Sequence, residues 1–393
     1  MQKIRNSIDS INSYLLMLTA FFLPLTVFGG NLFAVLIFLL WLVKADFKTD
    51  FYRLKDNKLV IAVLLYLLVH VVALLWTADI ESGLWTLKKQ LKFLFIPIFM
   101  LFVKREHVKY YILAFLASMS LSEIWSYGIF FQLLPLYGGA TLIDPIPLMS
   151  HITYNPFLAI AIYLLSYYVL FDHSINRSKK VIYSFFIITM SINMFITGGR
   201  AGQVMFFAMI TILIFQYYNP KRIKAAILTM IIVPSIFMSA YSLSPQFNNR
   251  VNDAIDNISS YNDERKRDTS VGQRITYTLN SFKIIQQNPL FGVGTGDFPD
   301  EYKKVHMNNT PDVGLTVNPH NMYILTTVQL GVLGLASMLL IFYHQLKFAL
   351  SSKIGIVKDL GVVLPMLFLV IMWSDSYLLG HYTTILFVFF SSF

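Results

Sequence analysis

Residues 59–76 read LVIAVLLYLLVHVVALLW, eighteen positions without one Asp, Glu, Lys or Arg. As a helix rising 1.5 Å per residue this run covers roughly 27 Å, close to the ~30 Å hydrocarbon core of a bilayer. Lys55, Asp56, Asn57 and Lys58 precede it, and Asp79 and Glu81 follow it. A run of that length between polar flanks is a membrane span. Working outward in both directions, runs of the same kind occur near 13–29, 31–43, 84–103, 110–131, 154–171, 181–197, 203–218, 225–243, 320–346, 355–373 and 376–392. The second of the twelve and the last are short. The expected fold is all-α: a polytopic membrane protein with about 12 transmembrane helices.

Composition agrees. Of 393 residues, 56% are hydrophobic and only 13% charged, too little polar side chain to cover a water-soluble domain. Nucleic-acid binding would require the net charge of +10 to be gathered on one soluble face, whereas most basic residues occupy short gaps between apolar runs. Cysteine is absent, which excludes disulfides and thiolate chemistry. Lys3 and Arg5 before an apolar run imitate a signal peptide, but the run continues past Pro24 without a small-residue cleavage site, so a retained first helix is expected.

Orientation follows from the Lys/Arg bias of short loops, because positive residues resist translocation. Alternate gaps are basic: Lys44, Lys48, Arg53, Lys55 and Lys58; Lys104, Arg105 and Lys109; Arg177, Lys179 and Lys180; Lys221, Arg222 and Lys224; Lys347, Lys353 and Lys358. These gaps and both termini are expected on the cytoplasmic side of an inner membrane. The intervening gaps carry Asp79, Glu81, Asp144 and Asp375.

Residues 244–317 break the pattern as one large hydrophilic loop on the far side. The chain thus divides into spans 1–9 over residues 1–243, the loop, and spans 10–12 over 318–393. Within the loop, Ile275, Leu279, Phe282 and Ile285 have helical spacing between Gln273 and Gln287, which predicts an amphipathic helix lying on the membrane surface and ended by Pro289. Gly292, Gly294 and Gly296 then form a turn. They lack the strand before and helix after that a dinucleotide fingerprint requires.

Ionisable groups at membrane depth are functional candidates by default. Arg200 lies in Thr197-Gly198-Gly199-Arg200-Ala201-Gly202-Gln203, a hinge between two spans on the otherwise Lys/Arg-poor side. Glycine lets backbone N–H groups approach a ligand, and a helix start and a guanidinium both favour an anion such as phosphate; a tight turn with a snorkelling Arg is the bland reading. Arg274 opens the amphipathic helix. His320, in Asn318-Pro319-His320-Asn321-Met322-Tyr323, stands where the loop re-enters the membrane and can act as acid, base or hydrogen-bond donor. Gly331 and Gly334 further along would permit close helix packing. Lys88, Lys89 and Lys92 also break the charge pattern and are candidates for lipid or substrate phosphate. Glu123, His151 and Asp375 are candidates without a motif. His306, Asp297, Asp300, Asp312 and His320 have no metal-ligand spacing.

Taken in order, Gly198-Gly199-Arg200, a long exterior loop, Arg274, the 289–298 turn and His320-Asn321 followed by Tyr323, Gly331 and Gly334 resemble the O-antigen ligase family. That superfamily also holds O-antigen polymerases and protein O-oligosaccharyltransferases. The resemblance covers about 195–340. It implies a GT-C-type membrane glycosyltransferase working at the periplasmic face, inverting, with no metal and no cofactor. The donor would be an undecaprenyl-diphosphate-linked glycan and the acceptor a lipid A core sugar. Arg200 and Arg274 would hold the diphosphate and His320 would assist the acceptor hydroxyl, with Gly199, Asn321 and Tyr323 among further substrate contacts. Membrane lipids are the other partners, and nucleic acid is not one. A loop of modest length without an added domain points to the ligase over the protein-glycosylating relatives. The polymerase shares the chemistry, and a transporter or flippase would share the span count. Tyr277 stands where relatives often carry Trp, and Pro319 directly precedes the histidine.

Overall fold

The computed structural model describes residues 2–261, 263, 267–352 and 355–393, with side chains from Arg5 onward. Lys353 and the side chain of Lys3, both counted above among the basic residues, lie outside these. Every regular element among the described residues is a helix: α1 Gln2–Phe22, α2 Val27–Lys44, α3 Phe47–Leu54, α4 Lys58–Ala73, α5 Ile80–Gln90, α6 Phe95–Phe102, α7 Val108–Phe130, α8 His151–Phe171, α9 Arg177–Ile196, α10 Arg200–Tyr217, α11 Arg222–Leu243, α12 Pro245–Ser259, α13 Ser270–Gln287, α14 Phe298–Asn309, α15 Met322–Ser351, α16 Gly355–Ile371 and α17 His381–Ser391, with 3-10 turns before α6 and α7.

This is a multi-pass membrane architecture, though not every expected run is a full-length span. Among the described residues seven helices are long and apolar enough to cross a bilayer, and an eighth counts if α3 and α4, bent by 102°, form one span. The four remaining regions are helical in shorter or more polar pieces. The run at 13–29 breaks after Phe22, and 84–103 is divided among α5, a 3-10 turn and α6. α16 has 17 residues and α17 only 11, roughly 16 Å of rise for the latter. α17 has no need to meet lipid along its length, since residues 383–391 are all buried. α8 is central too: every residue from Tyr154 to Tyr168 is buried, as expected of a helix apolar on all sides.

The basic gaps gather at one end. Arg5 pairs with Asp46 at 3.1 Å and Lys44 with Asp9 at 3.0 Å, Ser13 bonds His107 at 2.7 Å, and Phe393 packs on Tyr111, so both termini lie there together. The opposite end carries α12–α14, where sequence reading anticipated one helix and the chain forms three. Of the stripe expected on α13, Leu279 and Phe282 are half exposed while Ile275 and Ile285 are partly buried, Ile285 against the core; Thr276, Tyr277, Asn280, Ser281 and Ile284 face inward. The outward pair Leu279 and Phe282 suits a helix lying on a membrane surface.

The glycines at 292–296 and 331 have a shared purpose that differs from helix–helix packing. Gly331 breaks α15 with φ 65°, ψ −167°, which only glycine adopts without strain. Val332 and Leu333 therefore lose their helical acceptors and donate to Pro289 O (2.9 Å) and Leu290 O (3.4 Å), while the orphaned carbonyls of Val328 and Gln329 accept from Val293 (2.9 Å) and Gly294 (3.0 Å). The turn thereby satisfies both sides of the break. Asp297 extends the clamp by accepting from Ala78 N (2.7 Å) and Asp79 N (3.1 Å).

Candidate active site

The hinge between α9 and α10 lies flush against α8. Thr197 Oγ1 donates to Asn155 Oδ1 at 2.8 Å, and Asn155 Nδ2 donates to Gly199 O at 3.3 Å. A Cβ on Gly199 would sit 2.6 Å from Asn155 Nδ2 and one on Gly202 would collide with Asn155 itself, so the glycines are needed for close approach. Arg200 then starts α10, and its Nη2 donates to Ser270 Oγ at 2.9 Å, tying the hinge to the first residue of α13. Arg274 is one turn further along α13. A third guanidinium joins them: Arg250 of α12, whose Nη2 would lie 3.3 Å from a Cβ on Gly198.

Arg200, Arg250 and Arg274 line one cavity of about 330 Å³ with His151, Gly198, Gly199 and Asp375. Arg250 and Arg274 act on Arg200 as like charges. Among the described residues none of the three lies within 4.0 Å of a carboxylate. Three guanidiniums around one cavity, with Asp253 the acidic group whose charge reaches Arg200, make that cavity electrically favourable to an anion. His151 is turned to Asp144, with Nδ1 2.6 Å from Oδ2.

His320 is placed across the cavity wall by a turn. Its N–H donates to Asn318 Oδ1 at 3.0 Å, and the same oxygen accepts from Ser376 Oγ at 2.8 Å. Nδ1 lies 3.3 Å from Asp375 Oδ1, an oxygen that also takes the Ser376 N–H at 2.7 Å. The ring stacks on Tyr277, centroids 6.3 Å apart at 27°. Burial pushes the Tyr277 phenol up, Asp268 adding to the shift and Arg274 opposing it. An imidazole that donates Nδ1–H to a carboxylate keeps its lone pair on Nε2, the arrangement of an oriented base.

Two further cavities adjoin. One of about 210 Å³ is lined by Lys89, Thr153, Asn318, Asp375, Ser376 and Thr383 among others, and shares Ile152, Asp375 and Tyr377 with the arginine cavity. The other, about 730 Å³ and strongly apolar, runs between α8, α9, α10 and α11 and ends at Pro245 and Gln246; Gln246 Nε2 would be 3.5 Å from a Cβ on Gly198.

Residues 185–339 match the family profile described as O-antigen ligase. The chain carries an O-antigen ligase family domain. An uncharacterized protein of Haemophilus influenzae is similar to it as well, 26% identical over 299 residues, 73% of this chain and 71% of its own length. The O-antigen ligase domain contributes Arg200, Arg250, Arg274 and His320, while Lys89, His151 and Asp375 come from outside the matched stretch.

Of the residues singled out from sequence, Arg200, Gly199 and Arg274 meet in one cavity and His320 reaches it through Asp375. Lys89 enters the neighbouring cavity, while Lys88 is exposed and Lys92 half-buried. Asn321 caps α15, its Oδ1 accepting from Ile324 N at 3.1 Å and its Nδ2 donating to Trp373 O at 3.3 Å. Tyr323 donates to Leu369 O and packs on Trp373. Both side chains hold α15 to α16. Glu123 lines a separate apolar cavity with Tyr127 and Phe131. Arg250 was missed because it is one of several basic residues in the 244–317 loop, and only the fold sets it beside Gly198.

Proposed function

We propose that this chain is an O-antigen ligase: an inverting, metal-independent glycosyltransferase that moves a glycan from undecaprenyl diphosphate to a sugar hydroxyl of lipid A core. The family supports ligase- or polymerase-type glycan transfer. The observation that carries the finer reading is the arginine cavity lying against the His320–Asp375 pair. In the reaction the acceptor oxygen bonds to the anomeric carbon as the bond from that carbon to the diphosphate oxygen breaks. The electron pair leaves with the diphosphate, and the hydroxyl proton passes to His320 Nε2. Negative charge grows on the leaving group, and Arg200, Arg250 and Arg274 are already in place to meet it without reorganisation. Asp375 steadies the imidazolium that forms.

The apolar cavity favours a lipid-linked donor, because it would seat an isoprenoid tail while the diphosphate reached the arginines beside Gly198. Polarity of the bundle favours the periplasmic face, since the Lys/Arg-rich end belongs on the cytoplasmic side and the arginine cavity is at the other.

The test is transfer in detergent, with purified protein, lipid-linked O-antigen, lipid A core and a chelator. Wild type is expected to glycosylate the core. Arg200→Ala and Arg274→Ala are each expected to lower kcat by about 10²–10³-fold, the loss seen when one stabilising donor is removed from a transition state. Chain extension on the lipid carrier in place of core transfer would identify a polymerase, and activity that vanishes with chelation would refute the metal-independent route.

A further inference from the structure

We infer that the smaller cavity, between α5, the start of α8 and residues 375–383, is the acceptor subsite, and that Lys89 in it recognises an acidic group on the acceptor sugar. This rests on the glycosyl-transfer reading above and assigns the second substrate its place. Inversion requires nucleophile and leaving group on opposite sides of the anomeric carbon. The two polar cavities are neighbours that share Ile152, Asp375 and Tyr377 in their linings, so a donor in one and an acceptor in the other would meet from different sides at Asp375. On one side are the guanidiniums for the diphosphate. On the other are Thr153, Asn318, Ser376 and Thr383, hydroxyls and an amide of the kind that bond sugar hydroxyls, in a space sized for one ring. Asp375 belongs to both, and it is the residue that holds His320.

Hydroxyls and amides suffice for a neutral sugar, so Lys89 calls for a reason. Its Nζ lies 3.2 Å from the centroid of the Trp85 ring, which stabilises the ammonium and fixes its position. Among the described residues no carboxylate comes within 4.0 Å of it, and Asp375, the carboxylate of the cavity, is engaged by His320 and the Ser376 N–H. A half-buried ammonium held on an aromatic face beside a sugar-sized polar space selects an anion, either a phosphate monoester or a ring carboxylate.

Steady-state transfer to lipid A core decides the matter. Lys89→Ala is expected to raise the acceptor KM about tenfold, the loss of one charge-assisted contact, with donor KM unchanged, and Lys89→Arg to recover most of it. Acceptor treated with phosphatase, or separately with a carboxyl-reducing reagent, identifies the group: the treatment that removes it makes wild type and Lys89→Ala alike. A rise in donor KM instead, or equal use by wild type of native and both treated acceptors, overturns the proposal. Binding of native lipid A core to detergent-purified protein without donor reads the subsite independently of turnover. Affinity that does not change in Lys89→Ala also overturns it, whereas Lys89-dependent binding by a wild type that transfers nothing supports the subsite and removes the transferase reading.

Discussion

His320 has φ +52°, the left-handed region, which costs a residue bearing a Cβ about 1–2 kcal/mol. The Asn318 Oδ1 bond to its N–H, the Asp375 contact and the Tyr277 stack together hold it there, and a strained backbone so held keeps the ring fixed before substrate arrives. Replacing His320 by Ala is expected to lower kcat by about 10²–10⁴-fold, the range for a general base. Asp375→Asn leaves shape almost intact but removes the anion that orients the imidazole, for an expected loss of about 10–100-fold in kcat. Full activity in Asp375→Asn at saturating substrates would show that the pairing is structural. Sequence made His320 and Arg200 legible because each is a charge or imidazole at an anomalous place, whereas Arg274, by itself an ordinary interfacial arginine, stood out only through the family resemblance. Sequence could not join His320 to Asp375, 55 positions away, nor find Arg250, whose relevance depends on how α12 turns back over Gly198.

Helices α12–α14 and the break in α15 show what a local reading omits. Glycine-rich sequence after Pro289 does predict a turn, yet nothing nearby reveals that it exchanges backbone hydrogen bonds with a helix broken at Gly331, some forty positions downstream. In Gly331→Ala the Cβ would collide with Leu290 O at a φ/ψ reserved for glycine. The expected cost is at least about 2 kcal/mol, read as a lower thermal midpoint in detergent; an unchanged midpoint would mean that the clamp does not hold α15. The start of α13 has a second tie. Asp268 Oδ1 accepts from Gln273 Nε2 (2.7 Å) and Gly314 N (3.0 Å), and these bonds hold its carboxyl below the usual carboxylate range. A lowered folded-state value stabilises at pH above the unfolded value, about 3.9, and that contribution is lost as pH falls through the folded value. Hydrogen exchange at the Gly314 amide should therefore quicken as pH is lowered beneath about 4, after correction for intrinsic rates. In Asp268→Asn this extra acid sensitivity should disappear.

For the molecule as a whole, the alternation of basic and acidic gaps told more than the lengths of the apolar runs. Run length fails where burial replaces lipid contact: α17, with 383–391 buried throughout, needs no bilayer-length apolar surface, and a turn after Phe22 and the 3-10 segment Leu91–Leu94 interrupt runs that read as continuous. Charge is more reliable because Lys and Arg resist translocation whatever the helix length, and Lys44, Lys104 and Arg105 do gather with the termini away from the arginine cavity. The sidedness this implies is open to direct test, because the chain has no cysteine and every introduced thiol is unique. Ser259→Cys and Asn308→Cys stand at exposed positions on the site end, and Asp56→Cys and Ser178→Cys at exposed positions of the basic gaps. With the outer membrane permeabilised and the inner membrane intact, an impermeant maleimide should label the first two and leave the second pair unmodified until the cells are lysed. The reverse pattern would put the arginine cavity on the cytoplasmic face, where a periplasmic donor glycan would be out of reach and the proposed reaction would have no substrate.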